Sequence, residues 1–367
     1  MQIQNVVWKG RKGWKLDTGA LSLVMLQGGG HIASVTLNEA GAVNPMWQPV
    51  WKTREPWLYR PEDAKRYGVR LLSGVSGHLL CLGWFGDPSA AEAKQGLGSH
   101  GEAPVARWRK VKQQVSARRA SLVCACDMPV SGMRLERTLS ARANETVVHV
   151  RERLVNLNRR DVPYAMCEHV TFSPPFLEKG VTFFDMSATR GHTFPGAFSK
   201  KQRLKGDAAF TWPLAPGAKG GKVDLRTIGR EYRHSSDFST QLMNPASDDA
   251  WFAAVNPRLG LMMAYVWKRQ DFPWLGNWEE NYARTEKPWD GRSLTRGMEF
   301  TNAPFPVGLR KTMELGTLDG LPTYRWLPAR GSVTMKFDLF LNRVDAGVKS
   351  VGNVRREDGR FSVSLQS

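Results

Sequence analysis

Two kinds of apolar pattern alternate along this chain. In the first, apolar and polar residues take turns, as in Met-Arg-Leu-Glu-Arg-Thr-Leu at 133–139, Val-His-Val-Arg-Glu-Arg-Leu at 148–154 and Val-Thr-Met-Lys-Phe-Asp-Leu at 333–339. A period of two puts successive side chains on opposite faces, so each stretch predicts a strand with one face in the core and one in water. In the second kind the apolar run is unbroken, as in Trp-Phe-Ala-Ala-Val at 251–255 and Leu-Met-Met-Ala-Tyr-Val-Trp at 261–267. The turn chemistry of Asn256-Pro-Arg-Leu-Gly260 predicts a hairpin between these two runs. Further strands are expected at 20–26 and 31–37, separated by a Gly28-Gly-Gly30 turn, and a second hairpin turn at Ala143-Asn-Glu145. No amphipathic pattern of a dozen residues or more suggests a long helix, and no internal repeat is present. One short helix is expected after Asp87, which is placed to cap it with Pro88 at its first position. The expectation is an all-β fold, a large antiparallel β-sandwich with few short helices, spanning 1–367 as a single domain.

Composition changes this picture little. A hydrophobic share of 41% and a charged share of 23% suit a globular chain, and 35 Gly and 21 Pro suit many turns. The 52 Lys and Arg exceed the 34 Asp and Glu, for a net charge of +18. The excess is spread along the chain. Its densest run, Arg-Trp-Arg-Lys-Val-Lys at 107–112, alternates basic with apolar residues and reads as a strand with one solvated face. No nucleic-acid motif accompanies it, so the charge is expected to be a surface property, with neither nucleic acid nor membrane as partner. The longest apolar run, 259–267, is too short to span a bilayer. Residues 1–9 carry no apolar run of a secretion signal, and the cytoplasm is the expected location. Of four cysteines, Cys124 and Cys126 fall on one face of an expected strand as small core residues; nothing demands a disulfide or a metal knuckle.

Three stretches stand out chemically. In Met-Cys-Glu-His-Val-Thr-Phe-Ser-Pro-Pro at 166–175, His169 lies near the end of a strand that the two prolines stop. A rigid strand meeting an irregular loop is a common setting for a functional side chain, although a satisfied core histidine fits there too. In Gly-Leu-Gly-Ser-His-Gly at 96–101, His100 sits among residues that let the backbone turn sharply or approach a ligand. In Gly-Met-Glu-Phe at 297–300, Glu299 is a carboxylate in an apolar strand, which is costly unless paired or functional. The 14 tryptophans add a fourth signal. Trp267, Asp271 and Trp278 are expected at a strand end, where flat rings suit the apolar face of a sugar and the carboxylate suits its hydroxyls; plain packing is the competing reading. Residues 43–70, rich in Pro and Trp, are expected to form a long ordered loop packed by its own aromatics.

Together the segments His-Gly-Glu-Ala at 100–103, Glu-His-Val-Thr-Phe at 168–172 and Gly-Met-Glu-Phe at 297–300 resemble the aldose 1-epimerase family, within the galactose mutarotase-like superfamily. The likeness covers most of the chain, and its tryptophan-rich segments mark a divergent member. It implies a supersandwich fold that interconverts sugar anomers, with His169 as general acid, Glu299 as general base and His100 holding the sugar near its ring oxygen. It also implies Asp271 as a substrate-binding aspartate, a small-molecule sugar as partner, and no cofactor or metal. The family's substrate-binding arginine has three candidates, Arg60, Arg66 and Arg70, and Glu279 and Glu280 are rival carboxylates. A phosphorylated or acidic sugar is a variant that the positive charge admits. The same scaffold also admits a carbohydrate-binding protein without turnover. The oligomeric state is not legible in the sequence.

Overall fold

The computed structural model describes residues 1–357 and 360–366. Two antiparallel sheets dominate, one of fourteen strands and one of eight. In the larger sheet, five neighbouring strands form the centre: His78–Gly83, Val162–Phe172, Leu294–Thr301, Trp274–Asn281 and Ser235–Met243. The smaller sheet runs from Phe183–Met186 through the predicted hairpin, Asp249–Asn256 and Leu261–Lys268, to Arg109–Val115 at its far edge. The longest helix, Gly308–Leu315, has eight residues, and no helix among the described residues is long and apolar enough to cross a membrane. The fold is therefore the all-β sandwich that the alternation predicts.

The two apolar patterns have different origins. Strands such as Met133–Arg142 alternate buried and open positions because only their inner face meets the other sheet. The central strands of the larger sheet are buried at nearly every position. Their inner face feeds the main core between the sheets, with Leu80, Met166, Leu275, Met298 and Phe300. Their outer face feeds a second apolar cluster with Leu79, Cys81, Cys167, Phe238 and Trp278, roofed by Trp47 and Trp289 from loops. The hairpin Asp249–Asn256 and Leu261–Lys268 is likewise covered twice, on its outer side by the terminal hairpin Ser350–Glu357 and Arg360–Gln366. Each large apolar side chain so enclosed contributes on the order of 1.5–3 kcal/mol.

Three local expectations are corrected. The edge strand Arg109–Val115 is open on both faces, with Val111 52% exposed, because no neighbour covers either side; Trp108 just before it is buried. The short helix is Ala90–Lys94 and its cap is Ser89, not Asp87. Ser89 Oγ accepts from Glu92 N, and Glu92 Oε2 accepts from Ser89 N at 2.7 Å, a reciprocal capping box that leaves Asp87 free to face elsewhere. The 43–70 stretch is not a plain loop; it carries the short helical turns Pro56–Leu58, Pro61–Asp63 and Ala64–Tyr67.

Candidate active site

The antiparallel register places Leu79, His169, Glu299 and Gly276 in one row across four strands. Directly opposed residues share a face, about 5 Å apart. His169 Nε2 and Glu299 Oε1 accordingly meet at 3.0 Å. The contact lacks hydrogen-bond alignment, and Glu299 Oε1 is a buried oxygen with no hydrogen-bond partner among the described residues. Such an oxygen is costly to leave empty unless something else occupies the site.

Each side chain is held from behind. Thr171, two residues on and therefore on the same face, lies with its Oγ1 2.9 Å from His169 Nδ1, which turns Nε2 toward Glu299. Gly297 stands in the same relation to Glu299. A Cβ there would lie 2.3 Å from Glu299 Oε1, so only glycine lets the carboxylate fold back over the strand. His100 takes a left-handed backbone conformation (φ 63°), followed by Gly101 (φ 85°). The turn is pinned by His100 N donating to Gly86 O at 2.8 Å and Leu82 N donating to His100 O at 3.2 Å. A Cβ on Gly101 would fall 1.9 Å from Leu82 O, so the close approach requires glycine. His100 Nδ1 faces Cys81 Sγ at 3.2 Å and Gly86 N at 3.3 Å, and its ring lies edge-on to His169, centroids 5.7 Å apart.

His100, His169, Glu299 and Trp278 line one cavity of about 380 Å³, together with Asp87, Arg284, Trp47 and Trp289. Its aromatic wall is self-packed: Trp47 stacks on Trp289 at 5.7 Å, Trp278 meets these rings edge-on, and Trp51, which does not line the cavity, packs edge-on against Trp289. Arg284 lies over Trp289 and Trp278, 4.9 and 5.5 Å from the ring centres, and pairs with Glu280 at 3.3 Å. Burial pulls the His100 imidazolium down, but Cys81 opposes it by charge and hydrogen bond, with help from Glu299 and Asp87, and holds it up at about 9.

Two expected sugar contacts do not join this cavity. Trp267 belongs to the other sheet and faces inward, stacked on Phe300 at 4.5 Å with its Nε1 donating to Phe272 O. Asp271 lies in the turn after that strand, its N–H bonded to Lys268 O, and is not among the lining residues. The rival carboxylates are engaged elsewhere: Glu279 with Arg203 at 2.7 Å, and Glu280 with Arg284 and the N–H of Ala283 and Arg284. Arg60, Arg66 and Arg70 do not line the cavity either; the arginine that does is Arg284. Sequence reasoning missed Thr171 and Gly297, although the i, i+2 rule of strands flags both once His169 and Glu299 are singled out. Arg284 and Cys81 reach the site through loop and cross-strand packing that no local pattern encodes. Among the described residues, no group of three His, Cys, Asp or Glu side chains is arranged to hold a metal ion.

No family model and no curated protein matches the sequence. Solved structures match the fold. A protein from Klebsiella pneumoniae that carries the provisional name aldose 1-epimerase superposes with a TM-score of 0.67 at 13% identity, covering 94% of this chain and 84% of its own. A galactose mutarotase-like protein from Clostridium acetobutylicum gives 0.58 at 12% identity, with 94% and 99% covered. A galactose mutarotase related enzyme from Lactobacillus acidophilus gives 0.56 at 13% identity, with 92% and 100% covered. The chain thus has the fold of these proteins along nearly its whole length, at identities that speak to fold alone.

Proposed function

We propose that the protein is an aldose 1-epimerase-like isomerase that interconverts the anomers of a small sugar. The observation that carries this reading is the unpartnered, buried Glu299 Oε1 beside His169 Nε2 in a cavity flanked by tryptophans. The reaction needs a base for the O1 hydroxyl and an acid for the ring oxygen. A sugar entering the cavity would part His169 from Glu299 and take their place as each other's partner. Glu299 then accepts the O1 proton as the C1–ring oxygen bond breaks, and His169 delivers a proton to that oxygen. Rotation about C1–C2 presents the other face of the aldehyde, and reclosure runs the two transfers backwards. Each transfer is worth about 10²–10⁴ in rate. His100 donates to the sugar near the ring oxygen. No cofactor enters these steps.

The reading extends to residues 1–367 as one domain working in the cytoplasm, with no nucleic-acid or membrane partner. Arg284 at the cavity favours a sugar with an acidic or phosphorylated substituent, since its planar fork suits such groups. The wall of Trp47, Trp278 and Trp289 supports a second reading, a carbohydrate-binding protein without turnover.

Polarimetry of freshly dissolved α-galactose, α-glucose and their 6-phosphates separates the two. Wild-type protein is expected to accelerate mutarotation of at least one, and Glu299→Gln to lose about 10²-fold or more of that acceleration. Equal acceleration by the variant would remove Glu299 from the mechanism. Calorimetric binding of a sugar with no acceleration would favour the binding protein.

A further inference from the structure

Behind His100 lies a cysteine that the acid–base scheme does not use. Cys81 is fully buried on the strand His78–Gly83, and its cavity-side neighbour across the strand pair is Cys167, two residues before His169. Its Sγ is 3.2 Å from His100 Nδ1, and the Gly86 N–H approaches the same nitrogen at 3.3 Å. That edge of the imidazole is therefore occupied, and the opposite edge, Nε2, is left for the cavity that His100 lines. Cys124 and Cys126, in contrast, lie in the inter-sheet core with no histidine contact, and burial pushes both thiols up.

Two arrangements satisfy the Cys81–His100 contact. In one, the S–H and the Gly86 N–H both donate to Nδ1. In the other, the proton has crossed and a thiolate accepts from Nδ1–H. Both place a hydrogen on Nε2, the first because a neutral imidazole carries one proton and Nδ1 is accepting, the second because an imidazolium carries two. We infer that Cys81 is a positioning residue that keeps His100 a hydrogen-bond donor, through Nε2, toward a substrate oxygen. An alanine there would leave the tautomer to the weak Gly86 contact alone. The left-handed backbone at His100 and the tight Gly101 contact fix where the ring sits; Cys81 fixes which nitrogen holds the proton.

The groups facing His100 and Cys81 are Cys167 and His169 from the central strand, Glu299 from its neighbour, and Asp87 from the loop. Burial alone would lift the Cys81 thiol. Cys167's hydrogen bond and the charge of His100 and His169 outweigh it and bring the thiol down to about 5. The attraction works both ways, so losing the sulfur lowers the pH at which His100 gives up its charge.

The inference rests on the proposed isomerase reading, and one experiment tests them separately. Nitrogen-15 NMR of the histidine side chains, assigned by His100→Asn, follows His100 against pH in wild type, Cys81→Ser and Cys81→Ala. In wild type, Nε2 is expected to be protonated up to a midpoint near 9. In both variants the midpoint is expected to fall by a unit or more, toward the ordinary ~6.5. Cys81→Ser is close to isosteric, so it answers the question if the alanine variant fails to fold. An unchanged midpoint and tautomer in a folded Cys81→Ser protein would overturn the inference whatever the sugar assays give. A shifted midpoint in a protein whose wild type turns over no sugar would keep the positioning role and discard the isomerase. Where turnover is seen, Cys81→Ala should lose about 10-fold in kcat between about pH 7 and pH 9 with KM nearly unchanged, and Cys81→Ser, whose hydroxyl still donates to Nδ1, should recover most of that loss over the same range. Equal loss at all pH values in both variants would assign Cys81 a packing role only.

Discussion

Glu168 and His169 are consecutive residues on opposite faces of one strand, and the two faces treat charge in opposite ways. On the inner face, Glu168 accepts from Arg137 at 3.1 Å and contacts His78 Nε2 at 2.6 Å, while Arg137 also holds Glu152 at 2.6 Å and Gly30 O at 3.1 Å. All four side chains are fully enclosed. Burial drives Glu152 well above the ordinary carboxylate range, against the pull of the Arg137 guanidinium. Burial likewise keeps His78 uncharged. Glu152 Oε2 and Glu168 Oε1 each lack a hydrogen-bond partner among the described residues, but the Arg137 guanidinium inside the protein faces both carboxyls. On the outer face, His169 meets Glu299, and the carboxylate retains an oxygen with no hydrogen-bond partner among the described residues. Both clusters are buried charge in an apolar sandwich. The inner one is closed by a cation of the protein's own and is structural; the outer one opens on a cavity and asks for a ligand.

The largest effect should come from breaking the closed cluster. Arg137→Ala removes the cation that faces two buried carboxyls, and such a loss costs about 3–5 kcal/mol. Urea unfolding monitored by tryptophan fluorescence measures it. Glu299→Gln, the variant that abolishes the proposed base, should move the same curve by no more than about 1 kcal/mol, because its one close contact, with His169, lacks hydrogen-bond alignment. If Glu299→Gln destabilises as much as Arg137→Ala, the contrast between closed and open fails and Glu299 is a structural group.

That contrast also explains what the sequence could and could not tell. Strands with one solvated face announce themselves by alternation, which is why 133–139 and 333–339 were legible. His169 was legible because Pro174 and Pro175 end its strand, and Glu299 because a lone carboxylate in an apolar strand needs a reason. The central strands are covered on both faces, so their residues carry no mark of which face they take. Trp267 was misassigned for this reason. Its apolar run, 261–267, is buried on both sides, and only the pairing of Leu261–Lys268 with Ser332–Arg343 shows that it belongs to the other sheet and faces the core. Trp278, on a central strand, has the opposite outcome from the same kind of run. Asp87 lost the cap to Ser89 although the Ser-x-x-Glu box at 89–92 was there to be read.

A smaller perturbation tests how finely the open site is built. Gly297→Ala adds one methyl group 2.3 Å from the ideal Glu299 Oε1 position, so the carboxylate must swing away. A displacement of about 1 Å at a reacting group costs on the order of 10² in rate. Polarimetric kcat/KM should fall by about that factor, while stability changes by only about 1–2 kcal/mol, the scale of an overpacked methyl. Unchanged turnover would mean that the carboxylate does not act from the position seen here.

The smallest expected effect concerns a carboxylate at a third place, one that is neither enclosed nor waiting for a ligand. Asp17 sits at a strand end, where partial burial pushes its pKa up. Lys15 at 2.9 Å, the Gly19 N–H at 2.9 Å and Asn38 Nδ2 at 2.8 Å outweigh that and bring it down to about 2. The unfolded value is about 3.9. A lower folded value means that the unfolded chain takes up the proton first, so the stabilisation is complete above about pH 5 and is lost as pH falls through about 2. Solvent screens these contacts, which limits the effect to less than about 1 kcal/mol. Asp17→Asn should therefore be slightly less stable than wild type at neutral pH, and the gap should close between about pH 4 and pH 2. A gap that persists unchanged to pH 2 would show that asparagine fails through its hydrogen bonds rather than its missing charge. In that case the partners supplied by the fold, and not the charge itself, set the worth of a carboxylate at all three places.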